Sequence, residues 1–140
     1  MIPDLQSSLI CDDVRQERNG KFMLIGLFDA IHAENLPLTF AKICLVTRWC
    51  SGQGTFTQRS RIIHPDQKTI LTEGKNVQVQ LASPEAAATS VEVFINIAFP
   101  AAGTYWVEIL LDGDLKLRYP LKARRVAGRV PPGGPGPGGA

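Results

Sequence analysis

Hydrophobic and polar residues alternate most regularly between residues 91 and 121, VEVFINIAFPAAGTYWVEILLDGDLKLRYPL. Val91, Val93, Ile95, Ile97 and Phe99 make one set, and Tyr105, Val107, Ile109 and Leu111 a second. Leu115, Leu117, Tyr119 and Leu121 make a third. Successive side chains of a strand point to opposite faces, so a period of two puts each set on one face of a pleated ribbon. Residues 100–103 and the tripeptide Asp112-Gly113-Asp114 supply the breaks. The stretch therefore predicts a three-stranded antiparallel meander with one buried face.

The rest of the chain reads the same way. A first strand is expected over residues 9–17, and Asn19-Gly20 joins it to the next as a hairpin, because a type I′ turn needs positive φ at both central positions. Residues 21–32, KFMLIGLFDAIH, are apolar on both faces, which predicts a central strand with Gly26 at a bulge or close backbone approach. Residues 38–50 form a third strand, deeply buried at 43–46, and further strands follow over 55–64, 69–72 and 77–81. Ser83-Pro84-Glu85 has an N-cap, a proline suited to the first helical position and an acid in the first turn. It predicts one short helical turn, read as a crossover between sheets.

About nine strands with turn residues between them indicate an all-β fold, a two-sheet antiparallel β-sandwich of immunoglobulin-like or jelly-roll type, with a closed barrel as the alternative. The domain is expected over residues 1–123. Residues 124–140, basic and then rich in Pro and Gly, offer too little apolar surface to offset ordering and are expected to be a disordered tail. At 140 residues, 44% of them hydrophobic, the chain is long enough to build one core without staples.

Charge changes the picture in one respect. Up to Asp114 there are nine basic and thirteen acidic residues, a balance of −4, and beyond it six basic residues and no acid. Arg124, Arg125 and Arg129 belong to this basic end. They could contact phosphates, but the body is net acidic and no aromatic residue is interleaved with them, which argues against nucleic acid as a partner. No apolar run approaches the ~18 residues needed to cross a bilayer. Asp4 stands where a secretory signal carries Lys or Arg, so the cytoplasm is the expected compartment. Three cysteines, Cys11, Cys44 and Cys50, without a CxxC agree with a reducing environment.

The segment CDDVRQERNGKFMLIGLFDAI, a proline-led third strand and FPAAGTYWVEILLDG together resemble a family of small uncharacterised bacterial proteins of unknown function. In that family an acidic first strand precedes a dGK turn, a liG-(I/L/V)-fD motif and a late P-x-x-G-x-Y strand ending in D/N-G. The resemblance covers about residues 5 to 123. It implies a bacterial β-sandwich and carries no activity to transfer.

Candidate chemistry is thin. Asp12, Asp13, Asp29, His32, Asp112 and Asp114 are the possible metal ligands, but Asp112-Gly113 is also what a hairpin turn requires, and neither histidine has a second at zinc spacing. No local signature ties a cysteine to His32 or His64 as nucleophile and base. No phosphate-binding glycine loop follows a strand. The expectation is a protein that is not an enzyme and uses no cofactor. Phe94, Trp106 and Leu110 oppose the buried alternation of their strands, and an apolar patch on a solvent face marks an interaction surface. They predict a non-catalytic interaction or assembly module whose partner is another protein or a second copy. The alternative is a carbohydrate- or small-ligand-binding sandwich with Phe94, Trp106 and Trp49 as an aromatic platform.

Overall fold

A computed structural model describes residues 1–127 and is all-β, with ten strands in two sheets and no closed barrel. The first sheet has the order β2 (Phe22–Leu27), β1 (Asp4–Gln16), β4 (Leu38–Cys50), β8 (Ala87–Phe99). The second has the order β3 (Ala30–Ala33), β10 (Asp114–Arg125), β9 (Gly103–Leu111), β5 (Gly54–Ile63), β6 (Ile70–Glu73), with β7 (Val77–Leu81) also on β5. Every strand pair is antiparallel except β3 with β10. The inner faces enclose one core that includes Trp49, Phe99, Tyr105, Ile43 and Ile109. Phe99 meets Tyr105 edge-on at 5.0 Å between ring centres, and the Tyr105 hydroxyl donates to the Ala101 carbonyl at 2.8 Å.

That contact marks the first correction. β8 and β9 are not neighbours in a meander: residues 100–102 carry the chain from one sheet to the other, so only β9 and β10 form the expected hairpin. The hairpin turn has positive φ at Asp112 and Gly113, as a type I′ turn requires. The Asp112 backbone N–H donates to the Thr57 carbonyl and its Oδ1 accepts from the Thr57 amide, both at 2.8 Å, tying the turn to β5.

Residues 21–32 are not one central strand. They form β2 at an edge of the first sheet and β3 at an edge of the second, with the chain crossing between sheets at Phe28-Asp29. Both faces of β2 are apolar because Met23, Ile25 and Leu27 are exposed. Of the two expectations at Gly26, a bulge or a close approach, the structure shows the close approach: the β1–β2 register runs through without a shift, φ is +73°, and a side chain there would collide with Asp12. The Asn19-Gly20 hairpin exists, but only Gly20 has positive φ, and Glu17 and Lys21 close the loop at 2.8 Å. This is a type I turn with a glycine bulge, not type I′. Ser83-Pro84-Glu85 forms a turn closed by the Ala86 amide on the Ser83 carbonyl at 3.0 Å, with no helical turn. A single isolated turn has too few hydrogen bonds to hold a helix.

The alternation itself holds in β9, where Tyr105, Val107, Ile109 and Leu111 are all buried, and fails in β8. Asn96, at φ +51°, switches the strand from one phase to the other. Ile97 and Phe99 point inward as expected, but before the switch it is Phe94 that points inward, leaving Val91, Val93 and Ile95 outside. In β10 a register shift between Leu115 and Leu117 turns Leu115 outward beside Leu110.

Candidate functional site

The three residues expected to form one surface are separated. Phe94 is 7% exposed and belongs to the core, because the positive φ at Asn96 inverts the phase of the strand before it. Trp49 is fully buried, so two of the three rings of the expected aromatic platform line the interior. Trp106 and Leu110, half-buried, lie on the outer face of the second sheet, where register pairs them with Ile63 and Pro120, and with Arg59 and Leu115.

Between them sits Glu108, paired in register with Arg61 and Arg118 and only 1% exposed. Each arginine Nε donates to one of its carboxylate oxygens at 2.7 Å. Burial pushes this carboxyl upward, but the two guanidinium hydrogen bonds outweigh it and hold the group below its ordinary value. Arg118 also donates to Gln67 at 3.0 Å, while Arg59 donates to Glu73 at 2.8 Å and to Asn76 at 2.9 Å. This face is closed by its own charges.

A second polar group lies between the sheets. The Trp49 indole N–H donates to Gln58 Oε1 at 2.8 Å, and the Ser90 hydroxyl donates to the same oxygen at 3.0 Å. Gln58 Nε2 donates to Ser60 Oγ and to Glu92 Oε1, each at 3.0 Å, and the Ser60 hydroxyl donates to Glu92 Oε1 at 2.6 Å. Burial raises the Glu92 carboxyl, because its partners are neutral and only partly offset the lost solvation. Beside it the Thr47 hydroxyl, fully buried, has no partner among the described residues. No histidine or cysteine enters the cluster, and Glu92 reaches a cleft of about 400 Å³ between β8 and the β6–β7 turn.

The outer face of the first sheet differs again. Register places Leu9, Val46 and Val91 in one row, Cys11, Cys44 and Val93 in the next, and Lys42 beside Ile95. Val93 is 53% and Ile95 67% exposed. Cys11 and Cys44 face each other as buried free thiols, and burial raises both. The β1–β2 hairpin bends back over this face, so that Val14 and Leu24 pack on Cys11, Cys44 and Val46. The positive φ of Gly26, opposite Asp12, permits the bend. Lys42 bridges to Asp13 at 3.0 Å, which lowers the Asp13 carboxyl. A smaller cleft of about 380 Å³ opens where the chain crosses at Phe28-Asp29. Its wall holds the hydroxyl pair Ser8 and Tyr119, 2.9 Å apart, and burial pushes Tyr119 up to about 12.

Sequence reasoning missed these exposed valines and Ile95, although their spacing was visible, because the face they occupy depends on one asparagine with positive φ. It also misplaced the start of the tail. Arg124 and Arg125 are strand residues, exposed, paired in parallel register with His32 and Ala33 of β3. That pairing continues the ladder two residues past the expected domain end. Arg129 lies outside the described residues. Among the described residues no three His, Cys, Asp or Glu side chains gather as a metal site, and no helix is long and apolar enough to cross a membrane.

Against known proteins, no curated protein matches the chain. The match that exists is to a family model, described as a family of unknown function (DUF6941), and it spans residues 6–124, from β1 through all but the last residue of β10. The chain belongs to this family of unknown function.

Proposed function

We propose that the domain is a non-catalytic interaction or assembly module that docks through the outer edge of β8. The observation that carries this reading is the combination of Val91, Val93 and Ile95, all exposed, on a thirteen-residue edge strand. Its backbone has strand partners on one side only, those of β4. An edge with free N–H and C=O groups and an apolar flank is a template for another strand. A second copy of the chain is the simplest partner, because an antiparallel edge pairs with itself about a twofold axis and needs no other sequence. The only charged residue of the strand, Glu92, is turned inward to Ser60 and Gln58, which leaves the outer flank uncharged. Three cysteines without a CxxC, two of them opposed across a strand pair, suit a reducing compartment that keeps them as thiols. The reading accordingly places the protein in the cytoplasm, and the family resemblance adds a bacterial one.

The test is light scattering of the purified chain, 15.2 kDa as a monomer, beside Val93→Lys and Ile95→Lys. A lysine on an exposed edge blocks strand addition while leaving an exposed site otherwise undisturbed. The wild type is expected at twice the monomer mass and both variants at the monomer mass, still cooperatively folded, with a melting temperature that no longer rises with protein concentration. A wild type that stays monomeric across the micromolar range overturns second-copy assembly.

A further inference from the structure

We propose that the groove between the folded-back β1–β2 hairpin and the outer face of the first sheet binds a small free amphipathic anion, a medium-chain carboxylate. The groove encloses about 700 Å³, within the range of roughly 300–1,000 Å³ that holds a small organic ligand. Its floor is apolar. Leu9 and Val46 are register partners on β1 and β4, and Leu24 packs on Val46 from the hairpin. Leu9 is 42% exposed, a large apolar side chain left facing the groove. Phe22, also partly exposed, stands on the hairpin wall.

The charge in the groove is of one sign. Arg48 lies two residues beyond Val46 on the same face of β4, about 7 Å along the strand from the apolar floor. Its Nε donates to Gln6 Oε1 at 3.0 Å and its Nη1 to Thr89 Oγ1 at 2.7 Å. Both acceptors are neutral. They hold the guanidinium in place on β1 and β8 without cancelling its charge, and it makes no ion pair with any described residue. Lys21, at the hairpin end of the same groove, is likewise without a carboxylate partner among the described residues. Contrast Lys42, Arg59, Arg61 and Arg118, each of which has an acid within reach.

A fixed, uncompensated guanidinium is the donor best suited to a carboxylate, because its planar fork matches two oxygens. A ligand laid along β4 would place its head at Arg48, with Lys21 adding a second positive field, and its chain on Val46, Leu9 and Leu24. The enclosed size favours a single short chain over a phospholipid, whose two tails would not fit. The hairpin wall turns at Asp12 and Gly26, where positive φ at glycine lets the strand pair fold over the ligand's body. The site touches β8 only at Thr89, through Arg48, and leaves Val91, Val93 and Ile95 free, so it can fail or succeed separately from strand docking.

The experiment is calorimetric titration of the full chain with sodium octanoate and with 1-octanol, in wild type, Arg48→Gln and Leu9→Gln, with amide chemical shifts followed in parallel. Octanoate is expected to saturate at one site, moving the amides of Leu9, Lys21, Leu24 and Val46. Arg48→Gln should weaken octanoate about tenfold or more and leave octanol unchanged. Leu9→Gln should weaken both. Both positions are on the outer face, and melting temperature checks that each variant is folded. No saturable octanoate binding overturns the proposal, as does equal weakening of octanoate and octanol by Arg48→Gln. Binding only to vesicles of anionic phospholipid, with none to free octanoate, overturns it as well. A dimer that persists in Arg48→Gln, with octanoate binding lost, separates this site from the docking edge.

Discussion

The two sheets cover their outer faces in opposite ways. On the second sheet, charged residues occupy the centre: Glu108 is clamped by Arg61 and Arg118, Arg59 reaches Glu73, and Trp106 and Leu110 are half-covered. On the first, the ion pairs gather at Asp13, which meets Lys42 and Arg15, and the centre of the face is valine, leucine, isoleucine and cysteine, with Arg48 held by neutral groups. A charge that is nearly buried must be matched, so Glu108 brings its partners with it and leaves that face saturated. Apolar side chains make no such demand on their neighbours. Exposed, they lose only the burial they lack, and that loss is recovered when something covers them. A saturated face and an unsaturated one therefore lie on opposite sides of one core, and the unsaturated one is where binding has most to gain.

The sharpest way to break this comparison is at Phe94. If the inner and outer sides of β8 are as described, Phe94→Ala removes a core ring and costs about 3–4 kcal/mol in urea denaturation. Ile95→Thr, one residue along, stays within about 0.5 kcal/mol in the monomer. Similar losses at both positions would mean that the strand has no exposed side.

Next is the clamp itself. Glu108→Gln leaves Arg118 without a carboxylate partner among the described residues and Arg61 with only the longer contact to Glu73 at 3.8 Å, and should cost about 2 kcal/mol, discounted because both arginines reach solvent. The pH dependence has a definite sign. Folding lowers the Glu108 pKa from 4.5, so its stabilisation is present above 4.5 and is lost as pH falls through the lowered folded value. The variant should be least penalised in acid, as thermal melts between pH 2 and 7 would show.

The smallest effect is at Glu92, and its sign is reversed. Folding raises its pKa above 4.5, so the native state holds the proton more tightly than the unfolded chain. Stability is then greatest below 4.5 and falls as pH rises from 4.5 through the raised folded value. Glu92→Gln keeps an oxygen to accept from Ser60 and Gln58, and should flatten that fall and melt higher than wild type at pH 7. Two glutamates, one facing arginines and the other amide and hydroxyl groups, would thus bend the same curve in opposite directions.

Much of the fold was legible because it rests on local pattern. β9 alternates without interruption, and all four of its apolar positions are buried. The Asp112-Gly113 turn follows from the φ values those residues tolerate. The all-β class and the position of Gly26 follow likewise. The candidate sites were less legible. Phe94 looked exposed because a run of apolar residues on the other parity, Val91 to Ile95, is the stronger periodic signal. Only the positive φ at Asn96 reverses it, and an asparagine in the left-handed region has no unique local signature. The groove required knowing that the β1–β2 hairpin folds back, and the polar cluster at Glu92 joins residues of β4, β5 and β8 that no spacing relates.

The sequence by itself determined that this chain forms strands, where most of them turn and which residues of β9 are inside. Those properties depend on backbone preference and on alternation over a few residues. Tertiary structure alone decided which sheet each strand joins, which parity of β8 faces the core, which arginines find acids and which do not. Each of these depends on two or more strands arriving from distant parts of the chain. Arg48 and Arg61 are the same residue type on neighbouring strands in sequence, and only their sheets make one of them a closed pair and the other an open site.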